Sequence, residues 1–199
     1  MVASIAAVLV IGAVIGAVSV AGSPSGGAAS VKAAAARRTT SIDGVRVPTA
    51  VSGLTVVSGT ADDYFITALR EQNAENMDFD DALYAGYTQP HSSVIMGTVI
   101  LVALSTASDT RKTYGDDGAV ETLDLAFVKK LSSYEFVATD VIGGAMVCGD
   151  LTMGGADFST CAWIDGRELG IYLTGAGSQP SSKQVAGYAQ ELWTASERG

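Results

Sequence analysis

The chain opens with an unbroken apolar run. Residues 2–22 contain no charged side chain, and Ser4 and Ser19 are their only polar ones. About twenty residues of helix span roughly 30 Å, which matches the hydrocarbon core of a bilayer. The run therefore predicts a transmembrane anchor over residues 1–22, with the lipid bilayer as the partner of residues 2–22. The alternative is a cleaved signal peptide, because Ser19-Val20-Ala21 offers the small residues that a signal peptidase reads.

Residues 23–44 predict a flexible linker, because Ala, Gly and Ser dominate them. Lys32, Arg37 and Arg38 lie in this linker, and the positive-inside rule alone would keep the following domain in the cytoplasm. An extracytoplasmic domain therefore needs a basic segment upstream of Met1, an expectation that mapping the translation start would test.

A small-residue spacing in the apolar run raises the question of self-association. Gly12 and Gly16 have the G-x-x-x-G spacing at which two membrane helices approach closely, so they are the candidate face for a homodimer. Gly and Ala are so abundant in this run that a chance match is the stronger interpretation.

Residues 45–199 alternate between short apolar runs and amphipathic stretches, which predicts one folded domain. Predicted strands cover residues 54–57, 82–88, 94–104, 136–142, 145–152, 158–164 and 169–174. The run at 94–104 is too short to cross a membrane, and its near-continuous apolar character indicates a central strand that is covered on both faces.

Three helices are predicted among these strands. Thr60 and Asp63 form a capping box for the first, and the second follows Asp116-Asp117 and runs to about Leu131. The third follows the capping box of Ser181 and Gln184, with a buried face of Val185, Tyr188, Ala189, Leu192 and Trp193. The order of elements predicts an α+β fold with a mostly antiparallel sheet packed with about three helices, preceded by the transmembrane helix.

Charge excludes one class of function. The chain has 12 basic and 21 acidic residues, and its three basic residues before Asp43 leave nine for the body, which therefore carries about −12. Because nucleic-acid binding depends on neutralising phosphates with Lys and Arg, no nucleic-acid partner is predicted. Adhesion of the body to anionic lipid is disfavoured for the same reason.

Cys148 and Cys161 are the only two cysteines. Both lie on predicted strands that pair as a hairpin across residues 153–157, so a disulfide is predicted if the compartment is oxidising. The alternative is a pair of buried free thiols. No metal site is predicted, since two cysteines and one histidine do not supply four zinc ligands. This cysteine pair is what favours an extracytoplasmic orientation.

The cysteine motifs also resemble those of a known group. The runs Cys148-Gly149-Asp150, Cys161-Ala162-Trp163-Ile164-Asp165 and Gly170-Ile171-Tyr172 resemble the C-terminal signature of uncharacterised membrane-anchored extracytoplasmic proteins of actinobacteria. The run from Val47 to Leu54 is similar to the start of their domain. The resemblance covers residues 45–193 through short motifs, and implies an envelope-facing domain with no agreed activity.

No catalytic constellation emerges from the remaining residues. His91 is the only histidine, and the adjacent Ser92 would point away from it on an extended chain. Of the acid pairs, Asp62-Asp63 and Asp116-Asp117 are explained by helix caps. Residues 78–81 resemble part of a calcium loop that lacks its Gly and its terminal Glu. The sequence also has no phosphate-binding loop motif, and no cofactor is predicted. Because none of these residues forms a catalytic set, no catalytic residue is predicted either.

These observations favour a non-catalytic domain. The leading interpretation is a single-pass, membrane-tethered extracytoplasmic domain that binds or senses a ligand or partner at the cell envelope. The weak candidates for ligand binding are Trp163, Asp165 and Tyr172, although the two aromatic residues are more typical of a core. The alternatives are an envelope hydrolase that uses carboxylates, and an accessory subunit of a membrane complex.

Overall fold

The computed structural model describes residues 41–57, 82–92, 94–104, 118–141, 144–153, 156–175 and 180–196. The strands are β1 (Ser41–Ile42), β2 (Val45–Arg46), β3 (Ala50–Val51), β4 (Leu54–Val56), β5 (Ala82–Thr88), β6 (Ile95–Ala103), β7 (Ser133–Val137), β8 (Ala145–Met153), β9 (Ala156–Ile164) and β10 (Glu168–Thr174). The helices are α1 (Ala119–Ala126), a 3-10 helix (Val128–Lys130) and α2 (Ser182–Ser196).

Eight of the strands form one antiparallel sheet. Among the described strands its order is β3-β4-β5-β6-β10-β9-β8-β7, so β6 and β10 lie at the centre while β3 and β7 are the outermost of these strands. β8, β9 and β10 are consecutive hairpin neighbours, and β1 pairs with β2 in a separate two-stranded ribbon. Every described strand pair is antiparallel, as the turn signals in the sequence predicted.

Both faces of the sheet are covered. α1 and the 3-10 helix bury Leu123, Phe127 and Val128 on one face. On the other face, which we call the α2 face, α2 and the N-terminal strands cover both cysteines. β10 is buried along its whole length and β6 from Gly97 onward, which confirms the prediction of a central strand covered on both sides.

The predicted fold class is wrong in its balance of helices and strands. The described chain is mostly antiparallel β, and α2 is its only helix longer than eight residues. The second predicted helix is shorter than expected, because Phe127 leaves the helical conformation with φ −123° and the chain continues as one 3-10 turn. The apolar spacing to Leu131 persists through this turn, which is why periodicity alone overestimated the helix.

Two predicted helices lie outside the described residues: the transmembrane helix of residues 1–22 and the helix that begins near Thr60. None of the helices that the structure describes is long and apolar enough to cross a membrane. The remaining corrections concern short strands. β1, β2 and β3 have only two residues each, too few for a periodic signal, and β7 begins at Ser133 rather than Phe136.

Candidate functional site

The disulfide predicted from the sequence is present. Cys148 on β8 lies directly opposite Cys161 on β9, and their Cα atoms are 4.0 Å apart. Both residues are buried on the α2 face, in the same apolar cluster as Val185 and Leu192 of α2. The bond therefore joins two neighbouring strands inside the core rather than closing an exposed loop.

A group of buried polar side chains lies on this face at the turn between β9 and β10. We call it the indole–carboxylate cluster, and it consists of Trp163, Asp165, Glu168, Trp193 and Ser196. The first three residues come from β9, the turn and the start of β10, and the last two come from the end of α2. The cluster thus joins the C-terminal helix to the sheet.

Asp165 shapes the turn and holds the helix at the same time. Its Oδ1 accepts hydrogen bonds from the backbone N–H groups of Arg167 at 2.6 Å and Glu168 at 2.9 Å. Its Oδ2 accepts a hydrogen bond from the Trp193 indole at 2.7 Å. An aspartate at this position is typical of a turn, because its carboxylate can bond the backbone two residues ahead.

Glu168 is fully buried, at 0% exposure. Its Oε1 accepts a hydrogen bond from the Trp163 indole at 2.6 Å and another from the Ser196 hydroxyl at 2.8 Å. Hydrogen bonds to a carboxylate are stronger than neutral ones and offset part of the cost of burying a charge. The rings of Trp163 and Trp193 stack with centroids 6.4 Å apart, which closes the cluster from the apolar side.

Tyr172 lies on the same face, on β10. Its ring makes an edge contact with Tyr188 of α2 at 6.0 Å, and burial together with the nearby Tyr188 raises the pKa of the Tyr172 hydroxyl well above its ordinary value. The ring fits because Gly97 faces it on β6, where any Cβ would collide with the Tyr172 hydroxyl. Gly170 makes room in the same way for the ring of Trp163.

The structure therefore brings the three ligand candidates together on one face, but inside the core. Trp163 and Tyr172 are fully buried, and Asp165 is 8% exposed. Both Asp165 oxygens and Oε1 of Glu168 accept hydrogen bonds from the protein's own donors, which fixes α2 against the sheet. This arrangement suits a rigid scaffold better than proton transfer to a substrate.

The other predicted candidates are not assembled into a site among the described residues. His91 is exposed in the turn between β5 and β6, with φ 65°, and the Ser92 hydroxyl accepts a hydrogen bond from the Val94 N–H at 3.1 Å. The acid pairs Asp62-Asp63, Asp80-Asp81 and Asp116-Asp117 lie outside the described residues. Within the described ranges, no group of three His, Cys, Asp or Glu side chains is close enough to hold a metal ion.

Sequence reasoning missed Glu168, Trp193 and Ser196 as members of a polar cluster. Glu168 carries the clearest signal, because it is a charged residue at the start of a strand that is otherwise apolar apart from Thr174. Trp193 was assigned to the core only for its apolar ring, and its partner Asp165 is 28 residues away in the chain. Such a distant pairing has no local sequence signature.

A second surface that sequence reasoning missed is the outer side of β7. Tyr134 and Phe136 are 53% and 43% exposed, and their rings meet edge to face with centroids 6.3 Å apart. They stand on the same face of the sheet, since they are two residues apart on a strand. We call the strand Ser133–Val137, with its outward backbone groups and these two rings, the β7 edge.

No protein-family model matches this chain, and no curated protein matches it either.

Proposed function

We propose that this chain is a membrane-tethered extracytoplasmic domain that binds a partner at the cell envelope and carries out no chemistry itself. The Cys148–Cys161 disulfide carries the proposal. Disulfides persist in oxidising compartments and are rare in the cytosol. A bond between two buried strand neighbours is part of the core, which supports placing the domain on the oxidising side of a membrane.

Two further observations support this function. The apolar run of residues 2–22 is long enough to hold the domain at a bilayer, and the Ala, Gly and Ser-rich sequence after it leads to the β1–β2 ribbon, which begins at Ser41. The buried carboxylates Asp165 and Glu168 accept hydrogen bonds from fixed tryptophan and serine donors, whereas a general acid or base must reach a substrate. Binding through an exposed surface remains the activity that the described residues support best.

The redox state of the cysteines in living cells tests the orientation. Cells expressing the full chain are quenched in acid, free thiols are blocked with N-ethylmaleimide, and the protein is then reduced and labelled with a maleimide-coupled polyethylene glycol. We expect the mass shift of two labels, because both sulfurs were protected by the bond. The variant with Cys148→Ser and Cys161→Ser is the control and takes up no label.

A pair that is fully reduced in cells would contradict the extracytoplasmic location. Protease treatment of spheroplasts gives an independent reading of topology. If the domain lies outside the membrane, we expect the protease to cut the linker in intact spheroplasts. We expect the folded domain itself to be digested only after its disulfide is reduced or its fold is loosened. A linker that is cut only after lysis would place the domain in the cytoplasm.

A further inference from the structure

We propose that the β7 edge accepts an extended segment of a partner protein, in which apolar and basic residues alternate, as an added strand of the sheet. This proposal rests on the binding role argued above and names the surface and the chemistry of the partner. Four properties of β7 support it: its position in the sheet, its exposed rings, its charge and its mismatch with a second copy of itself.

The two edges of the sheet differ. β3 has only two residues, and the turn after it is held against α2, where Glu191 accepts hydrogen bonds from the Ser52 N–H at 2.9 Å and from the Ser52 hydroxyl. β7 has five residues, and β8 is its only partner among the described strands. Alternate backbone groups of an edge strand point away from the sheet and can pair with another chain. β7 also contains no Pro, Lys or Arg, the residues with which proteins commonly block such an edge.

The side chains of β7 divide into an apolar row and a polar row. Tyr134 and Phe136 are two of only four large apolar side chains that are exposed among the described residues. They stand on the face of α1 and the 3-10 helix, since Phe136 pairs with Val147, a member of the apolar cluster on that face. An incoming strand would lay its apolar side chains beside these rings, as cross-strand neighbours do.

The polar row indicates basic residues in the partner. Ser133 and Glu135 point to the α2 face, where the Ser133 hydroxyl donates a hydrogen bond to Asp150 Oδ2 at 2.9 Å. Glu135 is exposed, and Asp150 on β8 adds a second negative charge to the same face. Lys129 and Lys130 precede the strand, and their positive charges would repel cationic side chains of the partner near Ser133. The cationic side chains of the partner therefore belong opposite Glu135. The body also carries an excess of acidic residues, which attracts a basic segment over a distance.

A second copy of this chain fits the same edge poorly. The two-fold pairing that sets Tyr134 opposite Phe136 of the other copy also sets the two Glu135 side chains directly opposite each other. Like charges in that position destabilise a strand pair, and the two acidic bodies repel as well. A basic segment of a different protein meets neither penalty.

A synthetic peptide of seven residues, alternating lysine and valine and capped at both ends, is the probe. Its binding to the full chain in detergent micelles is followed by fluorescence polarisation at low salt. We expect saturable binding that Phe136→Lys and Glu135→Lys each weaken by about tenfold or more. A peptide of alternating glutamate and valine gains affinity for the Glu135→Lys variant. Val120→Lys is the matched control, because Val120 is another exposed apolar residue, at 56%, but lies on α1, so we expect binding to stay unchanged.

An N-methylated lysine and valine peptide separates strand pairing from simple charge attraction. Methylation of alternate backbone nitrogens removes the donors that pair with β7 while the charge stays the same, so we expect binding to be lost. Equal binding of the methylated peptide, or no effect of Glu135→Lys, would overturn the proposal. The proposal would also be overturned if the chain formed a dimer that Phe136→Lys dissociates, or if the two rings inserted into anionic vesicles.

The two proposals fail separately. If the peptide does not bind and the cysteines are oxidised in cells, the docking surface is wrong while the extracytoplasmic location stands. If the peptide binds as expected and the cysteines are reduced, the location is wrong while the docking surface stands.

Discussion

At the scale of single residues, the most demanding feature is the burial of two carboxylates under one helix. Asp165 and Glu168 receive hydrogen bonds from two indole N–H groups, one hydroxyl and two backbone N–H groups. Removing one donor leaves a carboxylate oxygen under-solvated in the core, which costs more than the bond itself contributes.

Ser196→Ala tests this cost with little loss of packing. We expect the free energy of unfolding to fall by about 1–3 kcal/mol, because Glu168 Oε1 loses the donor at 2.8 Å. Denaturant unfolding measures the change. Thr194→Ala is the control, since its hydroxyl only bonds the Gln190 carbonyl of the same helix, and we expect a change of less than about 0.5 kcal/mol.

Glycine substitutions test the fit of the aromatic rings. A Cβ on Gly170 would overlap the Trp163 ring, whereas a Cβ on Gly187 in α2 meets nothing within 4 Å. We expect Gly170→Ala to destabilise the domain by about 1–3 kcal/mol through overpacking. Gly187→Ala should stabilise it by about 0.5–1 kcal/mol, because alanine is the better helix former. Thermal melts distinguish them, and two shifts of the same sign would contradict the proposed ring contacts.

The buried tyrosine makes stability dependent on alkaline pH. Burial raises the pKa of Tyr172 in the folded state above its unfolded value of about 10. The folded state therefore binds this proton more tightly, so its contribution is fully present below pH 10 and is lost as the pH rises further. We expect the wild-type free energy of unfolding to decrease above about pH 10, and Tyr172→Phe to flatten that decrease. An identical alkaline profile in both proteins would refute this assignment.

At the scale of elements, α2 shows how local and tertiary interactions combine. Its start is a reciprocal capping box: the Ser181 N–H and hydroxyl both donate to Gln184 Oε1 at 2.9 Å, and the Gln184 N–H donates to Ser181 Oγ at 3.4 Å. Its end is held by Trp193 and Ser196 in the indole–carboxylate cluster. The helix is therefore fixed at both ends, by a local motif at one and by tertiary contacts at the other.

Ser181→Ala removes the local motif alone. We expect a loss of about 1 kcal/mol in the free energy of unfolding, because the first turn loses its side-chain acceptor. Ser182→Ala, one position along and already inside the helix, is the matched control and should have little effect. Equal losses in the two variants, measured by denaturant unfolding, would show that the capping box contributes nothing.

The predicted helices and strands agree with the structure to different degrees. The strands near residues 82–88, 145–152, 158–164 and 169–174 agree with β5, β8, β9 and β10 to within a few residues. Their apolar runs are bounded by turn residues, so a local pattern was sufficient. α1 ends before Phe127, short of its predicted end. β7 begins three residues and ends five residues before the predicted strand of residues 136–142, because an exposed edge strand has no buried face to produce a periodic pattern.

At the scale of the whole molecule, the disulfide stabilises the arrangement that places both cysteines beneath α2. The bond links two residues that are only 13 apart in the chain, which restricts the unfolded chain, so its loss should lower the free energy of unfolding by about 2–3 kcal/mol. We expect the variant with Cys148→Ala and Cys161→Ala to show this loss. Adding a thiol reductant should affect only the wild type, and an equal effect of reductant on both proteins would contradict the prediction.

The sequence by itself determined the features that depend on neighbours in the chain. These include the acidic charge of the body, the apolar run of residues 2–22, the capping box of Ser181 and Gln184, and the hairpin that sets Cys148 opposite Cys161. The charge follows from composition alone, and the apolar run from a continuous stretch of residue types. The capping box and the hairpin depend on residue types at short spacings, which the backbone geometry of a helix, a strand or a turn brings together.

Only the tertiary structure decided what is buried and what is left at an edge. Their residue types make Trp163 and Tyr172 candidates for ligand binding, but α2 covers both of them, and Glu168 meets Ser196 across 28 residues. Tyr134 and Phe136 are residue types that are typical of a core strand, yet they are exposed on β7, the outermost of the described strands at its end of the sheet. Burial depends on which elements pack together, and that follows from the balance of the whole fold rather than from any local pattern.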